Sequence, residues 1–413
     1  MSMASKAELH TFRAKYDIAD LSIAGVTGLA FALVALFLCV APRTNISGAI
    51  DYIAFWATGQ QLVHHANPYD GDAMMRIEYS AGHSVKDGVM LMRNPPWALP
   101  LAFPLGFIGL GVGLLLWSLV LLACLIVSVR ILWRMHGWPS APLHWLGYSF
   151  LPAPLCVMMG QTSLFALLGY VLFLDLHGRR PFLAGTCLWL CALKPHLFLP
   201  FGVALLAWIL VSKSYKILAG AAVAMAASCA ITFCIDPAAW SDYAQMMRTS
   251  GIERDHIPCL SVALRFWLSP QTVWFAWLPA ALGSAWALGY FWSRRHAWDW
   301  MKDGSLLMLV SLLLAPYYWV YDDALAVPAL LHGAFLTRFR PLLVALVFAS
   351  LLIEVELLRG IRISTAFYLW TAPAWLAWYL LAVTSGREGL KWPAFRARKW
   401  FRSMDSMKEP LSD

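Results

Sequence analysis

Charged side chains are scarce in this sequence. Asp, Glu, Lys and Arg make up only 13% of its 413 residues, whereas a soluble domain carries roughly 25%. This shortage argues against a disordered chain, a nucleic-acid-binding protein and an ordinary cytosolic enzyme. The net charge of +8 then reflects how Lys and Arg are distributed between the two sides of a membrane.

Paired cysteine motifs and nucleotide-binding glycine motifs are also missing. The eight cysteines form no C-x-x-C pair and mostly lie in apolar runs, which indicates buried thiols rather than metal ligands or disulfides. No strand followed by a Gly-rich turn and a helix is present to hold a nucleotide diphosphate. No cofactor is firmly implied by the sequence, and the need for a divalent metal stays open.

Apolar residues are abundant, at 60% of the chain. A bilayer span needs about 20 of them, so twelve spans would use about 240 residues, close to the apolar total. We therefore expect an all-α polytopic membrane protein with about 12 transmembrane helices. The first of them is predicted over 21–42, because this stretch is too long for a signal-peptide core.

The basic residues predict the orientation of these helices, because Lys and Arg in short loops favour the cytosolic side. We expect a cytosolic segment at 1–20, one transmembrane catalytic domain over 21–384 with outer loops at about 43–95 and 236–270, and a basic cytosolic tail at 385–413. The region 97–134 is expected to return the chain to the inside, and the sequence leaves open whether it contains a re-entrant segment or an extra span. Eleven Lys/Arg fall in the short inner loops: Arg130, Arg134, Arg179, Arg180, Lys213, Lys216, Arg294, Arg295, Lys302, Arg338 and Arg340.

The first outer loop combines a carboxylate with aromatic side chains. Asp51 precedes a stretch containing Trp56 that is predicted to form an interfacial helix ending at Asn67-Pro68. A second short helix is expected at about 71–80. Asp51 is either a functional carboxylate or simply the N-cap of the first helix.

Three more polar features fall on the same predicted outer face. Lys194 interrupts an apolar stretch, and an ionisable group at membrane depth is a functional candidate, although a lysine at a helix end also snorkels to the interface. Asp322 and Asp323 follow an aromatic run and are alternatively a turn with a helix cap. Arg265 precedes a helix and is alternatively an interfacial anchor.

A carboxylate, several cations and interfacial aromatics on one membrane face favour chemistry on an amphiphile with an anionic head. Glycosyl transfer from a lipid phosphate fits this set. The phosphate leaving group needs charge compensation by Lys or Arg more than it needs a general acid. One carboxylate then suffices as the base for the acceptor hydroxyl, and a single displacement inverts the anomeric centre.

An ordered series of motifs resembles glycosyltransferase family 87, membrane enzymes of the GT-C superfamily that include mannosyltransferases using polyprenyl-phosphate mannose. The series covers about 48 to 337. Its members are Asp51-Tyr-Ile-Ala-Phe-Trp-Ala, Asn67-Pro-Tyr-Asp70, Asn94-Pro-Pro-Trp, Phe103-Pro-Leu, Gly160-Gln161, Gly178-Arg-Arg-Pro-Phe-Leu-Ala-Gly185, Leu193-Lys-Pro-His196, Pro258 to Arg265, and Pro316-Tyr-Tyr-Trp-Val-Tyr-Asp322.

The resemblance implies roles for individual residues. Asp51 matches the first-loop aspartate taken as the catalytic base, and Lys194 and Arg265 match positions suited to the donor phosphate. Mannoside-forming members carry a histidine near the position of Tyr321, and this chain has none there, so the sugar stays open among hexoses. We expect His196 and Gln161 beside the phosphate pocket, and a substrate pocket formed by Tyr321, Asp322, Tyr317, Trp56, Tyr69 and Arg93.

The expected partners are a polyprenyl-phosphate sugar, a lipid-linked or envelope glycan acceptor and membrane lipids, without nucleic acid. The expected location is a bacterial plasma membrane, with the site facing outward. Two other functions stay open. A transporter or flippase of lipid-linked sugars would usually show inverted repeats, and the Asp51 loop has no second copy. A ligase or polymerase of lipid-diphosphate glycans could rely on cations alone.

Overall fold

A computed structural model describes residues 23–37, 39, 51–84, 88–249 and 257–385. The predicted N-terminal segment 1–20 and almost all of the tail 385–413 lie outside these residues. Within them the chain is helical and has no β-strand. The helices are α1 Ile23–Phe37, α2 Tyr52–Val63, α3 Gly71–Ser80, α4 Leu99–Ala102, α5 Leu110–Met135, α6 Trp145–Ser149, α7 Pro152–Met159, α8 Ser163–Leu176, α9 Pro181–Cys191, α10 Leu199–Ser212, α11 Tyr215–Ile235, α12 Ala239–Thr249, α13 Leu260–Leu268, α14 Leu278–Arg294, α15 Asp303–Leu313, α16 Val327–Leu336, α17 Pro341–Leu358 and α18 Thr371–Ser385.

Five helical segments of the described chain are long and apolar enough to cross a membrane. They are Leu110–Met135, Pro195–Ser212, Tyr215–Ile235, Pro341–Leu358 and Ala366–Ser385. Only 22% to 39% of the most apolar stretch of each is buried, so most of their apolar surface faces outward. This is the architecture of a polytopic all-α membrane protein, because a bilayer covers such surface. The total of twelve spans stays a prediction.

Prolines divide the apolar sequence into short helices. A proline stands in the first turn of α7, α9, α10 and α17, where a missing N–H costs no helical hydrogen bond. The region 97–134 is divided in the same way: short helical turns over Pro96–Phe107 precede the long α5. The sequence left a re-entrant segment or an extra span open here. The short Pro96–Phe107 segment favours the re-entrant arrangement, because a span needs about 20 residues.

Helix α2 is present where the first outer loop predicts a helix, but it does not lie on a lipid surface. Nine of its twelve residues are buried. The cause is close backbone packing: a Cβ on Gly59 would lie 2.7 Å from the backbone N of Gly106. Helix α2 therefore packs inside the protein instead of facing lipid, and its position at the level of the membrane interface stays a prediction. Helix α3 occupies the predicted 71–80, and the Asp70 carboxylate caps it.

Helices α9 and α11 are held together by two glycines. A Cβ on Gly185 would collide with the carbonyl oxygen of Ile217, and one on Gly220 would collide with that of Phe182. Small residues at such positions let helix backbones approach closely, as is common between membrane helices. The contact fixes α9, and with it the turn after α9 that carries Lys194.

Candidate active site

A tight turn at Gly160-Gln161 joins α7 to α8 and packs against the start of α2. Gly160 has a left-handed backbone with φ of 75°, and a Cβ there would lie 2.6 Å from the Cβ of Tyr52. The indole N–H of Trp117 donates to the Gly160 carbonyl oxygen at 2.8 Å. A glycine is needed for both the backbone and the close approach, and the turn holds Gln161 against Asp51.

Asp51 directly precedes α2, yet its carboxylate does not cap that helix. Instead it accepts a hydrogen bond from the Gln161 amide and faces the Tyr321 hydroxyl. Only 9% of Asp51 is exposed. Burial raises its pKa to about 6, since desolvation disfavours the charged form. The helix-cap alternative loses its support, and the carboxylate has a pKa suited to a general base near neutral pH.

Lys194 lies in the turn between α9 and α10, at the centre of the buried polar cluster. Its ammonium group donates to Asp322 Oδ1 at 2.6 Å, to Gln161 Oε1 at 2.9 Å and to Ser163 Oγ at 2.9 Å. The same group lies 4.9 Å from the centre of the Tyr321 ring. Lys194 is only 8% exposed, so it is a buried ion-pair partner and does not snorkel to the interface.

Asp322 both pairs with Lys194 and closes its own turn. Oδ1 accepts from Lys194 and from the Ser163 hydroxyl, and Oδ2 accepts from the backbone N–H of Trp319 at 2.9 Å. The turn expected from the sequence is therefore closed by Oδ2 of Asp322, whereas Oδ1 forms the ion pair with Lys194.

Asp323 lies away from this ion pair, against Thr371 and Trp375, and is fully buried. Burial raises its pKa to about 7. Because both Asp322 oxygens are engaged and Asp323 has different neighbours, the two carboxylates do not form one cation site in this arrangement.

A second group of aromatic and basic residues borders the cluster. The His196 ring stacks on the Tyr317 ring at 3.9 Å between centres. Arg93 lies near enough for its positive charge to interact with the Tyr317 hydroxyl. The Tyr69 hydroxyl donates to the Asn94 carbonyl oxygen at 3.4 Å. These residues lie on the Lys194 side of the cluster, because the Asn94 amide donates to the carbonyl oxygen of Leu193 at 2.9 Å.

Arg265 lies on α13 and is 3% exposed. Its guanidinium lies 4.6 Å from the centre of the Phe266 ring. The helix is attached to the chain just before Tyr317, since Ser261 donates from its hydroxyl to the Leu314 carbonyl oxygen at 3.4 Å. Arg265 is therefore a buried cation beside the segment that leads to Tyr317, and not an exposed interfacial anchor.

Trp56 does not join the cluster. Its indole N–H donates to the carbonyl oxygen of Ile108 at 2.9 Å, so the ring fixes α2 to the turn before α5. Conversely, the sequence analysis missed Ser163, which bonds to both Lys194 and Asp322. Its position two residues after Gln161 is the signal that was available, but a lone serine at a helix start is ordinarily a capping residue.

Comparison with protein families gives a match to glycosyltransferase family 87 over residues 93–316. No curated protein and no solved structure matches the chain. The matched segment is more than half of the 413 residues and contains Gln161, Lys194 and Arg265. Asp51 and Asp322 lie outside it and reach it through the hydrogen bonds of Gln161 and Lys194. The protein is a membrane glycosyltransferase, and the chain belongs to glycosyltransferase family 87.

Proposed function

We propose that this glycosyltransferase moves a hexose, with mannose among the candidates, from a polyprenyl-phosphate donor to a lipid-linked or envelope glycan. The reaction would take place on the outer face of a bacterial plasma membrane, with inversion at the anomeric carbon. The observation that carries the proposal is a buried carboxylate, Asp51, connected through Gln161 to a buried ammonium group, Lys194. Base and cation thus lie one side chain apart.

In the proposed reaction the acceptor oxygen attacks the anomeric carbon from the face opposite the phosphate. Asp51 accepts the hydroxyl proton, and the bond between carbon and phosphate oxygen breaks with its electron pair going to the phosphate. Lys194 and Arg265 compensate the charge of the departing phosphate, which needs no proton because it is already a stable anion. A single displacement of this kind inverts the configuration of the sugar.

The hydrogen bonds of Lys194 support one mode of phosphate binding. Its three ammonium hydrogens are already used by Asp322, Gln161 and Ser163. A phosphate oxygen would therefore replace one of the two neutral acceptors, Gln161 or Ser163, and leave the ion pair with Asp322 intact. Replacement of Gln161 would also loosen its bond to Asp51, so donor binding would release the base for the acceptor.

The test is transfer by purified protein in lipid vesicles. We expect sugar transfer from synthetic polyprenyl-phosphate hexoses, none from nucleotide sugars, and a product of inverted configuration. A panel of mannose, glucose and galactose donors identifies the sugar, and Asp51→Asn protein serves as the inactive control. Efficient transfer from a nucleotide sugar, or a product with retained configuration, would contradict the proposal.

A further inference from the structure

A cavity lined by basic residues lies at the opposite end of α9 and α10 from Lys194. It has a volume of about 470 Å³, and its walls include His177, Trp208, Lys213 and Lys216. Helix α10 runs the 14 residues from Leu199 to Ser212 between the two places, which at 1.5 Å per residue is about 20 Å. The cavity is therefore separate from the Asp51 cluster.

Two cations line this cavity, and neither Lys213 nor Lys216 makes an ion pair with any described residue. Lys213 also has a left-handed backbone, with φ of 54° and ψ of 31° at the C-cap of α10, a conformation that glycine adopts without strain. A lysine in this position is strained where a glycine would be relaxed, and strained backbone is found more often at functional sites. The two lysines therefore leave an unbalanced positive charge in the cavity, which suits an anionic ligand.

The aromatic side chains in the cavity walls are arranged in a way that suits contact with a lipid head group. The His177 ring packs edge-on against the Trp208 ring at 5.8 Å between centres. Nδ1 of His177 donates to the Leu174 carbonyl oxygen at 2.9 Å, which leaves Nε2 as an acceptor for a hydroxyl group of the ligand. Tryptophan, histidine and lysine together are typical of the polar boundary of a membrane.

Apolar side chains continue from the cavity along the outside of two candidate spans. Pro195–Ser212 ends at the cavity and Tyr215–Ile235 begins there, so the cavity lies at head-group level. Leu210 and Leu218, beside the cavity, are 53% and 44% exposed. A ligand that combines an anionic head with hydrocarbon chains would match both surfaces.

We propose that this cavity binds the phosphate-bearing head group of an anionic glycerophospholipid, whose acyl chains lie along α10 and α11. Basic pockets between transmembrane helices bind such head groups. The basic residues of this end also predict that it faces the cytosolic leaflet, where anionic lipids attract Lys and Arg. The site is independent of the glycosyl-transfer chemistry proposed for Asp51.

The test measures lipid retained by the full-length protein after extraction from vesicles of equal parts phosphatidylglycerol and phosphatidylcholine, by native mass spectrometry. Wild-type protein should retain phosphatidylglycerol selectively. Removing both lysines, in Lys213→Gly/Lys216→Gln, should weaken that retention about 30-fold. Arg295→Gln is the matched control, because Arg295 lies at the same end of the bundle but outside the cavity, and it should retain lipid like the wild type.

Two further arms keep the result interpretable. Glycine suits the left-handed backbone at 213, so the single variant Lys213→Gly should keep the thermal stability of the wild type while losing lipid, which separates binding from folding. Inorganic phosphate at millimolar concentration should not displace the lipid. Equal retention of both lipids, unchanged retention in the double variant, or displacement by free phosphate would overturn the proposal.

Discussion

At the scale of single residues, the base role proposed for Asp51 gives the sharpest test. General-base catalysis contributes roughly 10²- to 10⁴-fold to a rate, so Asp51→Asn should lower kcat by about that factor. Asparagine has the same shape and can accept the Gln161 hydrogen bond through its carbonyl oxygen, so the variant should fold and insert normally. Turnover by purified variant and wild type in vesicles, with equal amounts confirmed by gel filtration, is the measurement. Near-normal turnover would return Asp51 to a purely structural role.

The raised pKa of Asp51 predicts a pH profile. A general base works only when it is ionised, and burial raises the pKa of Asp51 to about 6. The rate should therefore be full above about pH 7 and fall about tenfold per pH unit once the pH drops below about 6. An exposed aspartate would keep its rate down to about pH 4. The residual rate of Asp51→Asn should lack this limb, and a wild-type profile flat from pH 5 to 8 would contradict the assignment.

The phosphate role of Lys194 is tested by donor affinity. Charge-assisted contacts to an ion are worth about 1.5–3 kcal/mol, so loss of the ammonium group should weaken donor binding about 10- to 150-fold. Lys194→Met alone would leave the Asp322 carboxylate buried and unpaired, so the comparison is Lys194→Met/Asp322→Asn against Asp322→Asn. Calorimetric titration with a polyprenyl-phosphate hexose measures the effect. Equal donor affinity in the two variants would leave Lys194 with a structural role alone.

The sequence could predict which residue types gather, but not which of them pair. Placing Asp51, Lys194 and Asp322 on one membrane face needed only the distribution of basic residues in short loops. The bond between Lys194 and Asp322 joins residues 128 positions apart, and it depends on how α9 and the Val320–Ala326 turn pack in three dimensions. The hydrogen bond of Trp56 to Ile108 was not predictable for the same reason: an aromatic residue after Asp51 does not reveal toward which neighbour its ring turns.

At the scale of secondary-structure elements, the geometry of the Gly160-Gln161 turn predicts that a single methyl group added at Gly160 lowers activity. Gly160→Ala would introduce a Cβ against Tyr52 and a strained left-handed residue, which costs about 1–3 kcal/mol. The shift of Gln161 away from Asp51 should lower kcat about 100-fold, the usual effect of a misplacement near 1 Å.

Gly289→Ala is the matched control for that variant. Gly289 lies in the interior of α14 with no atom within 4 Å of a Cβ, so alanine there should be tolerated and even stabilise the helix slightly. Thermal melting and turnover of both variants give the comparison. Wild-type activity in Gly160→Ala would show that the turn does not need its present geometry.

Helix positions were more predictable than helix surroundings. The polar stretch at 71–80 predicted the bounds of α3, and the apolar composition predicted the all-helical membrane architecture. The burial of α2 was not predictable, because Gly59 and Gly106 read as ordinary small residues until the fold brings them together. An aromatic helix near a membrane and an aromatic helix inside a protein have the same composition.

At the scale of the whole molecule, the central prediction is the orientation of the chain in the membrane. The predicted outer loops and the outward-facing site both depend on it. Twelve spans with both termini in the cytosol place the loops at about 43–95 and 236–270 outside. A single cysteine at position 86, on a background without the eight native cysteines, should react with a membrane-impermeant reagent in intact cells. A cysteine at position 405 should react only after the membrane is opened. The reverse pattern would contradict the predicted topology and the placement of these polar residues on the outer face.

The long-range character of the Asp51 cluster has a consequence for how the enzyme is made. Gln161 bonds to Asp51 across 110 positions of the chain, and Lys194 bonds to Asp322 across 128. The ribosome delivers these segments to the membrane one after another, so the ammonium group of Lys194 has no counter-ion until the Val320–Ala326 turn emerges. We therefore expect the cluster to assemble only late in synthesis, after all of its segments have entered the membrane.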